Sequence, residues 1–234
     1  MPLVYLKIRR SLHPEIEPYW EDFKIAYEEN MTVLDALREI QKHPVNARGE
    51  ATVPLLFQAS CGEEVCGTCT IKIDGKTRPA CSARLKDLPD PLTLEPLKNF
   101  PLIRDLVVDR TQWEKQSRQY QTHQDLETIT ASPPPRPFSE KEETDLKFLC
   151  IHCGVCQEFN KKVMSPETIV SIRRGNLLDK DHSGIRLKAL MGKGGIDYCS
   201  HLDDCERLCP KEISLTEMVG QMKRATTLLA FKRL

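Results

Sequence analysis

The sequence predicts an α+β chain in which a small α+β domain is followed by an all-helical domain. Apolar residues alternate with polar ones near the N-terminus, as they do in half-buried strands, and they recur at helical spacing in the C-terminal part. A polar, proline-containing stretch separates the two patterns. At 234 residues the chain is long enough for two small domains. We predict domains at residues 1–105 and 145–234, joined by a connector at 106–144.

Two N-terminal strands are predicted from the alternation of apolar residues. The apolar positions are Val4, Leu6 and Ile8 in the first strand and Phe23, Ile25 and Tyr27 in the second. A period of two places these side chains on one face of each strand. A loop containing Pro14 and Pro18 separates the two strands. The first domain is therefore expected to begin with a pair of strands.

A helix and a hairpin are predicted to follow these strands. Thr32 with Asp35 three residues later is the pattern of a capping box at a helix start, and Pro44 marks the end of that helix. An Asp-Gly pair at positions 74–75 predicts the turn of a hairpin. Together these elements make a small α+β domain around the loop that carries the first cysteines.

The second half of the chain is predicted to be a connector followed by helices. Residues 121–144 are polar and contain three consecutive prolines, which favours an extended connector. Apolar residues then recur at helical spacing after Pro166 and after Ser214, where Glu217 completes a second capping-box pattern. The apolar stripe of the last helix is expected to be core, and it comprises Leu215, Met218, Val219, Met222 and Leu229.

Four cysteines in the first domain have the spacing C-x4-C-x2-C-x11-C, and they are Cys61, Cys66, Cys69 and Cys81. This is the plant-type spacing for a 2Fe–2S cluster. Gly62 and Gly67 let the loop fold tightly and direct backbone N–H groups at the sulfurs. Structural zinc fits less well because it prefers paired short knuckles separated by a longer loop, and disulfides are disfavoured in a reducing compartment. The spacing therefore predicts iron bound through these cysteines.

Six more cysteines follow the connector, and they begin with a C-x2-C-x2-C run. The predicted ligands of a 4Fe–4S cluster are Cys150, Cys153, Cys156 and Cys209. Pro210 follows the last of them and fixes the direction in which the backbone leaves the site. Iron is again expected to be held only through cysteine sulfur.

Cys199 and Cys205 are left as candidates for a third cluster site that lacks one thiolate. In the two-cluster ferredoxin pattern a cysteine stands four residues after the third one, and this chain has Asn160 there. Three alternatives follow. A noncysteine ligand such as His201, Asp203 or Asn160 completes the site; or the site is empty and the two cysteines are buried thiols; or electrons leave through a different partner.

Charge and hydropathy exclude several classes of function. The 34 Lys and Arg residues are balanced by 34 Asp and Glu residues, so no basic excess indicates nucleic acid as a partner. No run of 18 apolar residues predicts a membrane span. The N-terminal MPLVYLKIRR lacks the apolar centre of a signal peptide. We therefore expect a cytoplasmic chain whose cysteines stay reduced and bind metal.

The two cysteine motifs in this order are accompanied by the segments FPLIRDLVVD and GGIDYCSHLDDCERLCPKEI. Through these features the chain resembles the iron–sulfur subunit of succinate dehydrogenase and fumarate reductase over nearly its whole length. The resemblance implies an N-terminal β-grasp plant-type ferredoxin domain and a C-terminal α-helical ferredoxin domain. It also implies 2Fe–2S, 4Fe–4S and 3Fe–4S clusters in a line. In this family, Cys199 and Cys205 would belong to the third cluster.

The same resemblance implies partner subunits. One is an FAD-containing flavoprotein that interconverts succinate and fumarate. The other is a membrane anchor of the cytochrome b type that exchanges electrons with quinone and holds the chain at the inner face of the cell membrane. No residue of this chain is then expected to be catalytic towards the substrate.

Two other functions compete with the quinone-linked one. The first is electron transfer in a soluble or peripheral flavoenzyme complex whose acceptor is another protein or a thiol. The second is a non-redox scaffold in which bound metal only holds small domains together. Visible absorption distinguishes the scaffold from the other two, because bound zinc is colourless.

Overall fold

The computed structural model describes residues 2–119, 150–159, 164–178, 183–192, 194–199 and 202–231. The chain divides into two compact units. The first comprises Met1–Arg110 together with Ile151–Val155, and the second comprises Thr111–Cys150 and Cys156–Leu234. The chain is thus mixed α and β, with a sheet in the N-terminal unit and helices in the later one.

A five-stranded sheet forms the centre of the first unit. Its strands are β1 (Leu3–Arg10), β2 (Tyr19–Ala26), β3 (Thr70–Ile73), β4 (Lys76–Pro79) and β5 (Leu92–Glu95). Their order is β2-β1-β5-β3-β4, with β1 parallel to β5 and the other neighbours antiparallel. A separate two-stranded sheet pairs β6 (Leu102–Arg104) with β7 (Val107–Val108). The two predicted N-terminal strands and the predicted hairpin are confirmed.

Helix α1 (Val33–Lys42) covers the sheet and begins at the predicted capping box. The Asp35 N–H donates to the Thr32 hydroxyl oxygen at 3.3 Å, and the Thr32 N–H donates to the Asp35 carboxylate at 3.0 Å. Such a cap stabilises a helix by about 1 kcal/mol. The apolar face of the helix joins the core of the sheet through Val33, Leu34, Ala36, Leu37 and Ile40.

A buried ion pair connects the first strand to the turn between β6 and β7, and both of its partners hydrogen-bond to the segment that precedes the cysteine loop. The side chains of Arg10 and Asp105 are both fully buried, and Arg10 Nε lies 2.8 Å from Asp105 Oδ1. The Arg10 guanidinium also donates to the Val53 carbonyl at 2.9 Å and to the Glu21 carboxylate. Asp105 in turn accepts from the Leu56 N–H at 3.0 Å. Charged hydrogen bonds therefore fix the chain just before the first cysteines.

Helices make up the second unit. They are α2 (Thr111–Gln119), α3 (Pro166–Leu178), α4 (Ser183–Leu190), α5 (Leu202–Arg207) and α6 (Leu215–Phe231). The helices predicted after Pro166 and after Ser214 are confirmed. Four residues of the predicted stripe on α6 are buried and Leu229 is half-buried, so this stripe is core as predicted. In the described part of the chain, none of the helices has the length and apolar character needed to cross a membrane.

The unit boundaries differ from those drawn on the sequence. Leu106 and Val108 lie in the predicted connector but are buried in the first unit, and the Leu106 N–H donates to the Leu56 carbonyl at 3.2 Å. Burying such a side chain stabilises a fold by about 1.5–3 kcal/mol, which explains why the first unit extends past residue 105. Ile151–Val155, predicted within the second domain, belongs to the first unit. The connector prediction for 121–144 lies outside the described residues.

Candidate metal centre

The first four cysteines approach one another at a tightly folded loop. Cys61 is exposed and Cys66 half-buried, whereas Cys69 and Cys81 are buried. The loop turns through left-handed conformations at Gly62 (φ 75°), Glu64 (φ 54°) and Gly67 (φ 66°). Glycine adopts this conformation at little cost, so two of the three turns use the residue best suited to them.

Backbone N–H groups of this loop are directed at two of the sulfurs. The N–H groups of Glu63 and Val65 each donate to Cys61 Sγ at 3.4 Å, and the N–H of Glu64 donates to Cys81 Sγ at 3.2 Å. The expectation that the loop aims its N–H groups at sulfur is confirmed. Donors of this kind stabilise negative charge on a thiolate.

Local surroundings shift two of the thiol pKa values in opposite directions. The backbone hydrogen bonds from Glu63 and Val65, with a side-chain hydrogen bond from Cys66, lower the pKa of Cys61 to about 6. Burial, followed by a side-chain hydrogen bond with Cys69, raises the pKa of Cys81 to about 12. Cys61 therefore favours the thiolate, which is the form that binds metal, at neutral pH.

These hydrogen bonds divide the four cysteines into an exposed pair, Cys61 with Cys66, and a buried pair, Cys69 with Cys81. A 2Fe–2S cluster needs two thiolates on each of its two irons, so two adjacent pairs fit this group. Within the described residues, no group of three or more His, Cys, Asp or Glu side chains is placed to hold a single metal ion.

Cysteines of the second unit line a small apolar cluster. Cys156 and Cys205 are buried there, and Cys150 and Cys209 pack against it from half-buried positions. The Cys205 thiol donates to the Cys156 carbonyl at a sulfur–oxygen distance of 4.0 Å. Three of the four predicted 4Fe–4S ligands therefore share one cluster of side chains. The fourth, Cys153, lies in the segment that belongs to the first unit.

The remaining cysteine, Cys199, is in a different apolar cluster from Cys205. Burial raises the pKa of the Cys199 thiol. Asp203, a candidate noncysteine ligand for the third site, is exposed. Asn160 and His201, the other two candidates, lie outside the described residues.

Comparison with known proteins identifies the family. Residues 5–115 match the protein family described as "2Fe-2S iron-sulfur cluster binding domain". The succinate dehydrogenase iron-sulfur subunit of Bacillus subtilis (strain 168) is 36% identical, and the alignment covers 96% of this chain and 93% of that protein. The chain belongs to the family of succinate dehydrogenase and fumarate reductase iron–sulfur subunits.

Other relatives agree with this assignment. The fumarate reductase iron-sulfur subunit of Haemophilus influenzae is 27% identical to this chain. That alignment covers 95% of this chain and 92% of the Haemophilus protein. The fold is shared with a chain of the Mycobacterium smegmatis Sdh1 complex in the apo form. That comparison has a TM-score of 0.78 at 21% identity and covers 96% of this chain and 95% of the other. Family membership gives this iron–sulfur subunit an electron-transfer role in an oxidoreductase complex.

The sequence did not reveal three residues that contact the start of the second cysteine motif. Gly67, Phe100 and Arg110 of the iron–sulfur subunit all lie against Ile151–Val155. Gly67 was singled out only for its turn, and the FPLIRDLVVD segment that includes Phe100 was noted only as a family feature. No local spacing pattern relates any of these residues to a segment about 40 or more positions away.

Proposed function

We propose that this chain passes electrons between an FAD-containing flavoprotein, which interconverts succinate and fumarate, and a membrane quinone. The observation that carries this proposal is the pairing of Cys61 with Cys66 and of Cys69 with Cys81, with backbone N–H groups that donate to one sulfur of each pair. A 2Fe–2S cluster held there would supply one-electron redox chemistry. The N–H groups of the loop would favour the thiolates and influence the reduction potential.

The other cofactor assignments follow from the spacing of the cysteines. The N-terminal unit would be a β-grasp plant-type ferredoxin domain, and the helical unit would be an α-helical ferredoxin domain. A 4Fe–4S cluster would be held by Cys150, Cys153, Cys156 and Cys209. Cys199 and Cys205 would contribute to a third, 3Fe–4S site only if a noncysteine side chain served as the ligand in place of the thiolate that Asn160 cannot supply.

Partner subunits complete the proposed electron path. The flavoprotein would supply electrons derived from succinate or accept those needed for fumarate reduction. An anchor of the cytochrome b type would hold the chain at the inner face of the cell membrane and exchange electrons with quinone. Membership of the iron–sulfur subunit family supports both partners.

We expect the purified chain alone to show no succinate-oxidising activity, because in the proposed complex the flavoprotein carries the substrate chemistry. Mixing it with its flavoprotein and succinate should reduce the bound clusters, which would be followed as the loss of visible absorption under anaerobic conditions. Flavoprotein and succinate without this chain provide the control. Succinate oxidation by this chain alone would contradict the proposed role.

Iron content should distinguish the alternatives for the third site. If Asn160 prevents a 3Fe–4S cluster, the chain should hold about six irons, whereas three clusters would give about nine. The oxidised protein should also lack the paramagnetic signal of an oxidised 3Fe–4S centre. Asn160→Cys should add iron if only the thiolate is missing, with Asn160→Ser as a control that supplies no thiolate. Nine irons in the natural chain would show that a noncysteine ligand completes the site.

A further inference from the structure

The backbone of Cys153 lies directly against the loop that carries the first four cysteines. A Cβ atom added to Gly67 would lie 2.6 Å from Cys153 Cα and 2.7 Å from Cys153 N, and it would also meet the Ile151 carbonyl oxygen. Real Cβ atoms do not approach backbone that closely, so no side chain fits at position 67. Gly67 stands between Cys66 and Cys69, and its contact therefore joins the two cysteine motifs.

The Arg110 side chain also binds the main chain around Cys153. Arg110 Nη1 donates to the carbonyl oxygens of His152 and Cys153, each at 3.4 Å. The Arg110 guanidinium also lies over the Phe100 ring, 5.6 Å from its centroid. One planar guanidinium can satisfy a ring face and two carbonyls at once, which an ammonium group does less well. Arg110 thus binds the two peptide groups that flank the Cys153 Cα atom.

The Phe100 ring packs against Gly154, the residue that follows Cys153. The ring is buried, and a Cβ atom added to Gly154 would lie 3.2 Å from its Cζ atom. Both His152 (φ 50°) and Gly154 (φ 83°) have left-handed backbone, so the segment turns sharply around Cys153. A non-glycine residue such as His152 keeps this conformation only where its surroundings require it. Three residues of the first unit therefore determine where the Cys153 backbone lies.

We propose that Gly67 and Arg110 are positioning residues for electron transfer between the two cluster sites, an inference that rests on the proposed cofactor assignment. They hold the main chain of one 4Fe–4S ligand, Cys153, in contact with the loop of the 2Fe–2S ligands. In the proposed step one electron would pass from a reduced 2Fe–2S centre, which would be oxidised, to the 4Fe–4S centre, which would be reduced. No covalent bond changes in this step, and the flavoprotein or added dithionite is the reductant.

The contact matters because electron tunnelling weakens steeply across empty space between packed groups. With no side chain at Gly67, its backbone reaches that of Cys153 without an intervening gap. A methyl group at position 67 would push the two segments apart. Loss of the Arg110 hydrogen bonds would instead release the segment without altering either cysteine motif.

The test compares four variants of the full chain, each reconstituted anaerobically with iron and sulfide. Gly67→Ala and Arg110→Gln should remove the contact, and Arg110→Lys should restore part of it because the cation is retained. Gly75→Ala is the matched control, since Gly75 has the same left-handed backbone (φ 77°) but no atom within 4 Å of an added Cβ. Iron content and the separate magnetic resonance spectrum of each reduced centre establish whether both clusters are present.

Two measurements are decisive. The first is the magnetic interaction between the two reduced centres. The second is the rate at which one electron redistributes between the centres after a substoichiometric pulse of dithionite. We expect Gly67→Ala and Arg110→Gln to weaken that interaction and to slow redistribution several-fold, because the loss of the contact increases the distance between the two centres. Gly75→Ala should match the natural chain in both measurements.

Each outcome bears on a different statement. Both centres present with unchanged interaction and rate in Gly67→Ala and Arg110→Gln would overturn the positioning role. A natural chain without a 2Fe–2S centre would instead overturn the proposed function. If Gly67→Ala fails to assemble its clusters, Arg110→Gln tests the positioning role, because position 110 lies outside both cysteine motifs. If Arg110→Gln also fails to assemble them, Arg110→Lys tests the role by the same magnetic interaction and redistribution rate.

Discussion

The Cys66→Ser variant is expected to lose the 2Fe–2S centre and to keep the C-terminal cluster. Cys66 is the half-buried member of the exposed pair and hydrogen-bonds the Cys61 thiol. A serine hydroxyl is a far poorer ligand than thiolate for iron in such a cluster, so one of the two irons would lose half of its protein ligands. The variant should lose about two irons and the visible and magnetic resonance signals of the first centre.

The matched control for this change is Val65→Ala. Val65 is exposed, and its backbone N–H donates to Cys61 Sγ whatever its side chain is. This variant should therefore retain both centres at natural iron content. Loss of both clusters in Cys66→Ser would contradict the assignment of the two cysteine sets to separate sites.

The Asp105→Ala variant is expected to destabilise the first unit strongly. It leaves the fully buried Arg10 guanidinium without its buried carboxylate and removes the acceptor of the Leu56 N–H. Removing one partner of a buried ion pair costs about 3–5 kcal/mol when the other charge is left without a partner, and because Arg10 keeps its ion pair with Glu21, we expect a cost at the lower end of that range. We expect a decrease of that order in the free energy of unfolding of the first unit, measured by circular dichroism during urea titration.

Two further variants separate charge burial from simple loss of contact. Asp105→Asn removes the charge and replaces one of the two accepting oxygens with an NH2 donor, but it keeps one acceptor and should destabilise less than Asp105→Ala. Arg48→Ala removes a solvent-exposed ion pair with Glu50, 3.1 Å long, and should change stability by less than about 1 kcal/mol. An Asp105→Ala protein as stable as Arg48→Ala would show that the buried pair contributes little.

The first helix illustrates what the sequence by itself determined. Thr32 and Asp35 exchange hydrogen bonds across three residues, so the start of α1 depends on atoms that are adjacent in the chain. The hairpin turn at 74–75 and the buried stripe of α6 are equally local, because each follows from the geometry of one strand pair or one helix. The C-x4-C-x2-C and C-x2-C-x2-C runs belong to the same class, since each lies within one short segment of the chain. These features were predictable for that reason.

Only the tertiary structure decided which distant residues meet. Arg10 and Asp105 are 95 positions apart, and nothing in the spacing of either pairs them. Gly67 is likewise subject to two constraints. Its left-handed backbone belongs to the first cysteine loop, whereas its close contact with Cys153 depends on a segment far away in the sequence. Close packing between segments depends on the shape of the whole core and not on local periodicity. The sequence therefore determined the elements and the cysteine motifs, and folding determined that Cys153 lies against the first cysteine loop.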